Sequence, residues 1–284
     1  MTADKWTDFE VVATGGGEKL ERWGKVYLLR PDPQVIWRAK SDLSAFALLT
    51  AKYVRDGGGG RWERLKPMPD EWHVSYGDLT FLVKPMGFKH TGLFPEQAAN
   101  WDAMRALIAG AKREIRVLNL FAYTGGATAA CAKAGARVTH VDAAKGMVER
   151  AKTNCALSDI PPSAVRYIVD DCVKFVRREI KRGAVYDAVI MDPPSYGRGP
   201  NGETWKIEDS VYDLVALARE VLSPDPLFFL INSYTTGLSP TVMCNILNLV
   251  TDGRGKTSGY GLNLPTAERG VLLPSGASAM WTGG

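Results

Sequence analysis

Residues 116–142, RVLNLFAYTGGATAACAKAGARVTHVD, decide the fold class because two apolar strand patterns flank a helix of small residues. We expect strands near 116–121 and 137–142, with a turn at Gly125 and Gly126 leading into the helix between them. A strand, a crossover helix and a second strand in this order form a parallel pair. The stretch therefore predicts an α/β domain.

The same alternation continues along the second part of the chain. Apolar runs predict strands near 165–169, 186–191 and 227–232, with helical patterns between them. The segments GKTSGYGLNL and SAMW, near the end of the sequence, are typical of an antiparallel pair. We therefore predict that residues 96–284 form a mixed, mostly parallel sheet with an antiparallel last strand.

The first 95 residues have a different pattern. Short aromatic and β-branched runs, KVYLLR, PQVIWRA, WHVSYG and LTFLVK, are separated by turn sequences such as RPDP and RDGGGG. This pattern predicts a small β-rich domain, residues 1–95, built of hairpins.

Composition and charge restrict the class of protein. The chain has 284 residues, of which 45% are hydrophobic and 23% charged, as in ordinary soluble globular proteins. No apolar run approaches the roughly 18 residues of a membrane span, and MTADKWTDFE is too polar for a signal peptide, so we expect a cytoplasmic protein. A net charge of +4 permits an RNA partner without requiring one.

The cysteines and a run of basic residues are both explained without a bound ligand. The cysteines lack CxxC or Cys/His metal spacing, so we expect reduced thiols without a metal: Cys131, Cys155, Cys172 and Cys244. Basic residues recur at helical spacing in KFVRREIKR, and a solvated helix face is favoured over a phosphate-binding one: Lys174, Arg177, Arg178, Lys181 and Arg182.

The ends of the predicted strands indicate a nucleoside site. Gly125 permits close approach of a ligand to the backbone, and the following helix N-terminus favours an anionic group. Asp142, at the end of the second strand, can accept hydrogen bonds from both ribose hydroxyls. After the third strand, Asp171 could accept from an adenine amino group while the backbone N–H of Cys172 meets the ring. For these aspartates, helix capping is the structural alternative.

Three longer stretches resemble the motifs of class I S-adenosylmethionine-dependent methyltransferases: VLNLFAYTGGATAACAKAGA, VDAAKGMVERAKTN and DAVIMDPPSYGRG. HTGLFPEQAANWD is similar to the TG-x-F-x-x-x-Q segment of the bacterial group that contains the large-subunit ribosomal RNA cytosine-C5 and guanine-N7 methyltransferases. LERWGKVYLLRPDPQVIW and LPSGASAMW also resemble members of this group. The resemblance covers nearly the whole chain and implies a Rossmann-like methyltransferase sheet, S-adenosylmethionine as cofactor and ribosomal RNA as substrate.

The resemblance also implies cofactor contacts for particular residues. Phe121, Tyr123 and Gly125 would line the methionine end of the cofactor, while Asn119 stands where many relatives have aspartate. The full set of implied cofactor-binding residues is Gln97, Asn100, Asn119, Phe121, Tyr123, Gly125, Asp142, Ala143, Asp171 and Cys172.

The stretch YDAVIMDPPSYGRG, residues 186–199, indicates where the chemistry takes place. Prolines cannot donate to a strand ladder, so the chain leaves the sheet stiffly after Asp192. Asp192 and the carbonyls flanking Pro193 and Pro194 can accept hydrogen bonds from a base nitrogen, while Tyr196 could stack on the base. The alternative is that Tyr196 packs on the loop and the prolines only end the strand.

We expect an RNA methyltransferase in which residues 1–95 help to present the base. A non-catalytic RNA-binding protein on the same scaffold and a methyltransferase with a non-RNA substrate are the alternatives, and a homodimer is left open. A nicotinamide dehydrogenase is disfavoured because TGGAT does not spell G-x-G-x-x-G.

The sequence also bears on the atom that is methylated. Enzymes that methylate carbon-5 of cytosine ordinarily use a cysteine nucleophile, and the resemblance implies that the cytosine-C5 members of the group carry it near the end of the fifth strand. Here LINSYTTGLSP places Ser233 and Tyr234 there and no cysteine. A nitrogen of guanine or adenine is therefore favoured.

Overall fold

The computed structural model describes residues 1–57, 59–87, 89–198, 204–235 and 237–283. The chain divides into two compact units. The first contains Met1–Ala99 and Asn263–Ser275, and the second contains Asn100–Leu262 and Gly276–Gly284. The division suggested by the sequence placed Asn263–Ser275 with the second domain.

Strands dominate the first unit, as the sequence predicts, but the run PQVIWRA, residues 33–39, forms turns and irregular backbone instead of a strand. Its strands are β1 (Phe9–Gly15), β2 (Glu18–Trp23), β3 (Val26–Pro31), β4 (Ala51–Asp56), β5 (Gly59–Arg64), β6 (Trp72–Tyr76) and β7 (Leu79–Val83). The first five form a sheet in chain order, and β6 and β7 form a separate antiparallel pair. Within the five-stranded sheet, β3 and β4 are parallel and the other neighbours are antiparallel.

The late segment joins the first unit through β1. The backbone N–H of Ala267 donates to the Val11 carbonyl at 2.9 Å. Glu268 Oε2 accepts from the backbone N–H of Thr14 at 3.1 Å and from its hydroxyl at 3.0 Å. Because these partners are far apart in sequence, no local pattern near residue 265 indicates the pairing.

A buried ion pair lies inside the first unit. Glu21 is fully buried and accepts from the guanidinium of Arg30 at 2.7 and 2.8 Å, and from Trp23 Nε1 at 3.0 Å. Burial alone would raise the pKa of Glu21, but the charges of Arg30 and Lys19 outweigh it and lower the pKa to about 2. The carboxylate is therefore ionised at neutral pH.

The second unit is built mainly on a seven-stranded sheet with helices between the strands. The strands of this sheet are β8 (Arg116–Leu120), β9 (Arg137–Asp142), β10 (Val165–Val169), β11 (Ala188–Met191), β14 (Phe228–Ser233), β15 (Lys256–Pro265) and β16 (Leu272–Thr282). The end of β15 and the start of β16 fall within Asn263–Ser275 of the first unit. A short pair, β12 (Tyr196–Arg198) and β13 (Thr204–Lys206), follows β11. The helices are α1 (Ala98–Gly110), α2 (Gly126–Lys133), α3 (Lys145–Leu157), α4 (Cys172–Lys181), α5 (Ile207–Arg219) and α6 (Pro240–Val250).

The order of the sheet is β10-β9-β8-β11-β14-β16-β15. The first five strands in this order are parallel, and β16 runs antiparallel to β14. Both faces of the central strands are covered, since every residue of β11 and of β14 is buried. This explains their continuous apolar runs. The predicted fold class is confirmed, because the sheet is mixed, mostly parallel and closed by an antiparallel strand.

The cysteines and the helices of the described residues can be compared with the expectations from the sequence. Its four cysteines are free thiols, and only Cys244 is partly accessible. Within the described ranges, none of the helices has both the length and the hydrophobicity needed to cross a membrane.

Candidate functional site

The carboxyl ends of four neighbouring strands lie at one edge of the second unit's sheet. In register, Leu120 of β8 is opposite both Val141 of β9 and Met191 of β11, and Asp142 is opposite Val169 of β10. The segments that follow these strands therefore emerge side by side. They carry most of the predicted site residues: Phe121, Tyr123, Gly125, Asp142, Ala143, Asp171, Cys172, Asp192, Pro193 and Pro194.

The loop between β8 and α2 has an unusual backbone. Phe121, Tyr123 and Gly125 have φ values of 54°, 49° and 82°. Left-handed conformations are uncommon for residues with side chains and concentrate at functional sites. The N–H of Gly125 donates to the Ala122 carbonyl at 3.0 Å, and that of Ala122 to the Val141 carbonyl at 3.1 Å. The loop is therefore a tight turn tied to β9.

Asp142 holds this loop through its carboxylate. Oδ2 accepts from the backbone N–H of Tyr123 at 2.8 Å, and Oδ1 accepts from that of Ala144 at 2.8 Å. A carboxylate has about four acceptor positions, so each oxygen can accept one more hydrogen bond. The side chain is partly accessible, and its neighbour Ala143 is exposed. Asp142 can thus accept from a diol while it orients the loop.

The two glycines of the loop are also required by packing. A Cβ on Gly125 would lie 2.8 Å from Cβ of Ala151 in α3, and a Cβ on Gly126 would lie 2.7 Å from the Trp101 ring in α1. Such distances are shorter than real Cβ contacts. The glycines allow α2 to sit close to α1 and α3 at the point where the loop ends and the helix begins.

Asn119 lies inside β8, beneath the loop. It is buried, and its Nδ2 donates to Thr128 Oγ1 at 2.9 Å. Thr128 Oγ1 shares a further hydrogen bond of 2.9 Å with His140 Nδ1. Burial lowers the pKa of His140 to about 4, so its ring is neutral at pH 7. The predicted contact of Asn119 with the cofactor stays a prediction.

Asp171 and Cys172 begin α4. Asp171 is exposed, and its side chain accepts a hydrogen bond from the backbone N–H of Lys174 at 2.8 Å. It therefore caps the helix, as the structural alternative from the sequence proposed. A capping carboxylate keeps acceptor positions for a ligand. The buried Cys172 thiol accepts from the backbone N–H of Phe121 at 3.3 Å, and burial raises its pKa to about 12. Cys172 therefore joins the third strand end to the glycine loop.

The Asp192-Pro193-Pro194 turn follows β11. Asp192 is partly accessible and accepts from Asn232 Nδ2 in β14 at 2.8 Å. Pro193 is buried and Pro194 is exposed. Tyr196 is 52% exposed, which leaves much of its ring accessible for stacking.

Trp205 is a residue of the site that the sequence did not reveal. Its Nε1 donates to the Pro194 carbonyl at 2.6 Å, and its ring lies 5.8 Å from that of Phe121 between centroids. It therefore joins the proline turn to the glycine loop. The only local signal in the sequence is an aromatic residue after the glycine-containing stretch GRGPNGE, and the pairing of Trp205 with Gly197 places it at the site.

Two predicted cofactor-binding residues precede β8 in the chain. Gln97 ends the 3-10 helix Pro95–Gln97 of the first unit. Asn100, in α1 of the second unit, has no accessible surface. Their predicted cofactor contacts stay predictions, and for Asn100 such a contact requires the surrounding residues to move.

The basic residues of KFVRREIKR are exposed along α4 and just after it. Arg178 pairs with Asp170, and Arg182 pairs with Glu179 at 2.8 Å. These features agree with the interpretation as a solvated helix face.

A mostly parallel sheet with a glycine loop after one strand and aspartates after its neighbours is typical of nucleoside-binding α/β enzymes. A comparison with known protein families identifies the family. The sequence model of the S-adenosylmethionine-dependent methyltransferase family matches residues 36–224. The chain belongs to this family, whose cofactor is S-adenosylmethionine. The resemblance found in the sequence is thereby confirmed.

Solved structures of other proteins share this fold. The chain is similar to the S-adenosylmethionine-dependent methyltransferase from Agrobacterium tumefaciens, with 32% identity, a TM-score of 0.92, and coverage of 99% of this chain and 93% of that one. A structure from Streptococcus mutans shares the fold at 17% identity, with a TM-score of 0.73 over 98% of this chain and 76% of that one.

The curated relatives are longer proteins. The ribosomal RNA large subunit methyltransferase K/L of Syntrophotalea carbinolica is 28% identical over 179 residues, which are 62% of this chain and 24% of that protein. The protein of the same name from Legionella pneumophila is 26% identical over 64% of this chain and 25% of its own length. This chain therefore spans about a quarter of the length of these relatives.

Proposed function

We propose that the protein transfers a methyl group from S-adenosylmethionine to a ring or exocyclic nitrogen of a base in ribosomal RNA. The observation that carries the proposal is the Asp192-Pro193-Pro194 turn, which leaves β11 at the same sheet edge as the glycine loop after β8. The names of the curated relatives support ribosomal RNA as the substrate.

The residues at the sheet edge suit the cofactor. Asp142 has acceptor capacity for the ribose hydroxyls, and Asp171 has the same capacity for the adenine amino group. The left-handed loop of Phe121 and Tyr123 would line the methionine end. When bound, S-adenosylmethionine supplies an electrophilic methyl group on a positively charged sulfur.

The proline turn would hold the base. Asp192 accepts a hydrogen bond from the base nitrogen and takes up a proton that the nitrogen releases. Tyr196 stacks on the base, an interaction worth roughly 1–3 kcal/mol. Trp205 binds the Pro194 carbonyl and so keeps the turn rigid, which matters because this chemistry depends on position more than on a strong base.

The state of the four cysteines supports nitrogen rather than carbon as the methylated atom. Carbon-5 of a pyrimidine needs a thiolate nucleophile. Burial raises the pKa of Cys131 and Cys172 to about 12, and it also raises the pKa of Cys155 and Cys244. These thiols are protonated at neutral pH.

The test is mass spectrometry of ribosomal RNA nucleosides from a strain that lacks the protein, followed by methylation of that RNA in vitro. We expect one N-methylated nucleoside to be missing in the strain and to be restored by the purified protein and S-adenosylmethionine. Binding of this RNA without methyl transfer would indicate a non-catalytic RNA-binding protein. A full set of methylated nucleosides in the strain would indicate a different substrate.

A further inference from the structure

A chain of hydrogen bonds reaches Asp192 from β15, the last strand in the order of the sheet. Tyr260 O–H in β15 donates to Asn100 Oδ1 in α1 at 2.8 Å, and Asn100 Nδ2 donates to Ser278 Oγ in β16 at 3.0 Å. The Ser278 hydroxyl donates to Asn232 Oδ1 in β14 at 2.8 Å, and Asn232 Nδ2 donates to Asp192 Oδ1 at 2.8 Å. All five residues belong to the second unit.

The four hydrogen bonds run in one direction. An amide nitrogen only donates and an amide oxygen only accepts, so Asn100 and Asn232 set the direction at both ends of Ser278. The chain must end on an acceptor, and the carboxylate of Asp192 is one. Hydrogen bonds aligned in this way polarise one another, so the last of them is strengthened by those before it.

Burial keeps the chain intact. Asn100, Ser278 and Asn232 have exposed fractions of 0%, 0% and 1%, so bulk water does not compete for their hydrogen bonds. Burial raises the pKa of Tyr260 to about 12. Its hydroxyl therefore stays protonated and donates across the neutral range.

A buried polar cluster can serve stability alone, but this one ends on a partly accessible carboxylate at the edge of the sheet that carries the site. Amide groups are poor carriers of protons, so the chain is suited to orient a carboxylate rather than to conduct a proton. It also gives a reason for two buried polar side chains in the sheet, Asn232 of β14 and Ser278 of β16.

We propose that Tyr260, Asn100, Ser278 and Asn232 are positioning residues, which fix the orientation of the Asp192 carboxylate toward the methyl acceptor. This inference rests on the proposed function, because that function takes Asp192 as the group that contacts the base. We call these four residues the positioning chain.

Kinetics of the full-length protein test the positioning chain. Tyr260→Phe and Ser278→Ala each remove one hydroxyl. We expect either variant to lower kcat for methylation of the undermethylated ribosomal RNA by about three- to tenfold, with KM for RNA and Kd for S-adenosylmethionine within about twofold of the wild-type values. Ser275→Ala, on the same strand as Ser278, and Tyr212→Phe, at a half-exposed tyrosine of α5, are the matched controls.

A second measurement does not depend on the substrate. The side-chain amide of Asn232 gives NMR signals that report its hydrogen bond to Asp192, and Asp192→Ala identifies them by their displacement. We expect Tyr260→Phe and Ser278→Ala to displace these signals as well, and the two control variants to leave them in place.

The two measurements separate this inference from the proposed function. If Tyr260→Phe and Ser278→Ala displace the Asn232 signals but the wild type methylates no RNA, the positioning chain is supported and the proposed RNA function is wrong. If the wild type methylates RNA and both variants keep its kcat, or if the Asn232 signals stay in place, the positioning role is wrong.

Discussion

The backbone N–H of Tyr123 donates to Oδ2 of Asp142 across 2.8 Å and so ties the glycine loop to the end of the second strand of the sheet. One side chain thereby serves two purposes. It shapes the loop that would line the methionine end of the cofactor, and it offers acceptor positions to the ribose. Its loss should affect the binding site more than the loss of a single ligand contact.

We predict that Asp142→Ala weakens binding of S-adenosylmethionine by roughly ten- to a hundredfold. Hydrogen bonds to a charged acceptor typically contribute about 1.5–3 kcal/mol. Titration calorimetry measures the change, and Glu114→Ala is the control because it removes a 60% exposed carboxylate from the same unit. Unchanged affinity in Asp142→Ala would rule out its ribose role.

Gly125→Ala should destabilise the second unit more than Gly135→Ala. Both glycines have positive φ, 82° and 97°, so both substitutions carry a backbone cost of about 1–2 kcal/mol. Only Gly125 has a close neighbour, Cβ of Ala151 at 2.8 Å, while nothing lies within 4 Å at Gly135. Overpacking adds about 1–3 kcal/mol at Gly125, and urea denaturation should show this difference. Equal losses for the two variants would mean that the contact with Ala151 relaxes freely.

Asp192→Ala should reduce kcat by about 10²–10⁴, the usual contribution of a positioned acid or base. Cys131→Ala, Cys155→Ala and Cys244→Ala should stay within about threefold of wild type, because their thiols are protonated and no thiolate is required. Transfer of a labelled methyl group to the undermethylated RNA measures both. Detection of 5-methylcytosine, together with loss of activity in any cysteine variant, would contradict methylation of nitrogen.

Acid should destabilise the first unit through Glu21. Its pKa is about 2 in the folded chain and 4.5 as the ordinary value, so between these pH values the unfolded chain binds more protons. The stabilisation is therefore complete above about pH 4.5 and is lost as the pH falls toward 2. Urea denaturation over this range should show the decline.

The variant Glu21→Gln isolates that contribution. It leaves the buried Arg30 without its charged partner and should cost about 3–5 kcal/mol at pH 7, with a weaker pH dependence below 4.5. Glu10→Gln, at a 45% exposed carboxylate paired with Arg22, is the control and should cost less than about 1 kcal/mol. Equal losses in the free energy of unfolding for the two variants would mean that the buried Glu21–Arg30 pair stabilises the protein no more than an exposed pair does.

The role of residues 1–95 in presenting the substrate stays a prediction. The segment Asn263–Ser275 pairs with β1 and belongs to the same unit. A deletion of the N-terminal residues would leave this segment without its partner, so point substitutions within the first unit test its role better than truncation does.

The sequence by itself determined the fold class and most of the strand-end residues, because hydrophobic periodicity, glycine turns and strand-ending acids are local patterns. The strands predicted near 116–121, 137–142 and 165–169 lie within a residue of β8, β9 and β10. The parallel arrangement then requires that Asp142, Asp171 and Asp192 meet at one edge.

Only the tertiary structure decided which distant residues support that edge. Asn100 and Ser278 are separated by 178 positions, and Asn100 and Tyr260 by 160, yet hydrogen bonds join them in the chain that ends at Asp192. Trp205 reaches Pro194 only because β12 and β13 pair, and Ala267 reaches Val11 from the other end of the sequence. Such contacts depend on packing between elements that are remote along the chain, so no local pattern of residue types records them.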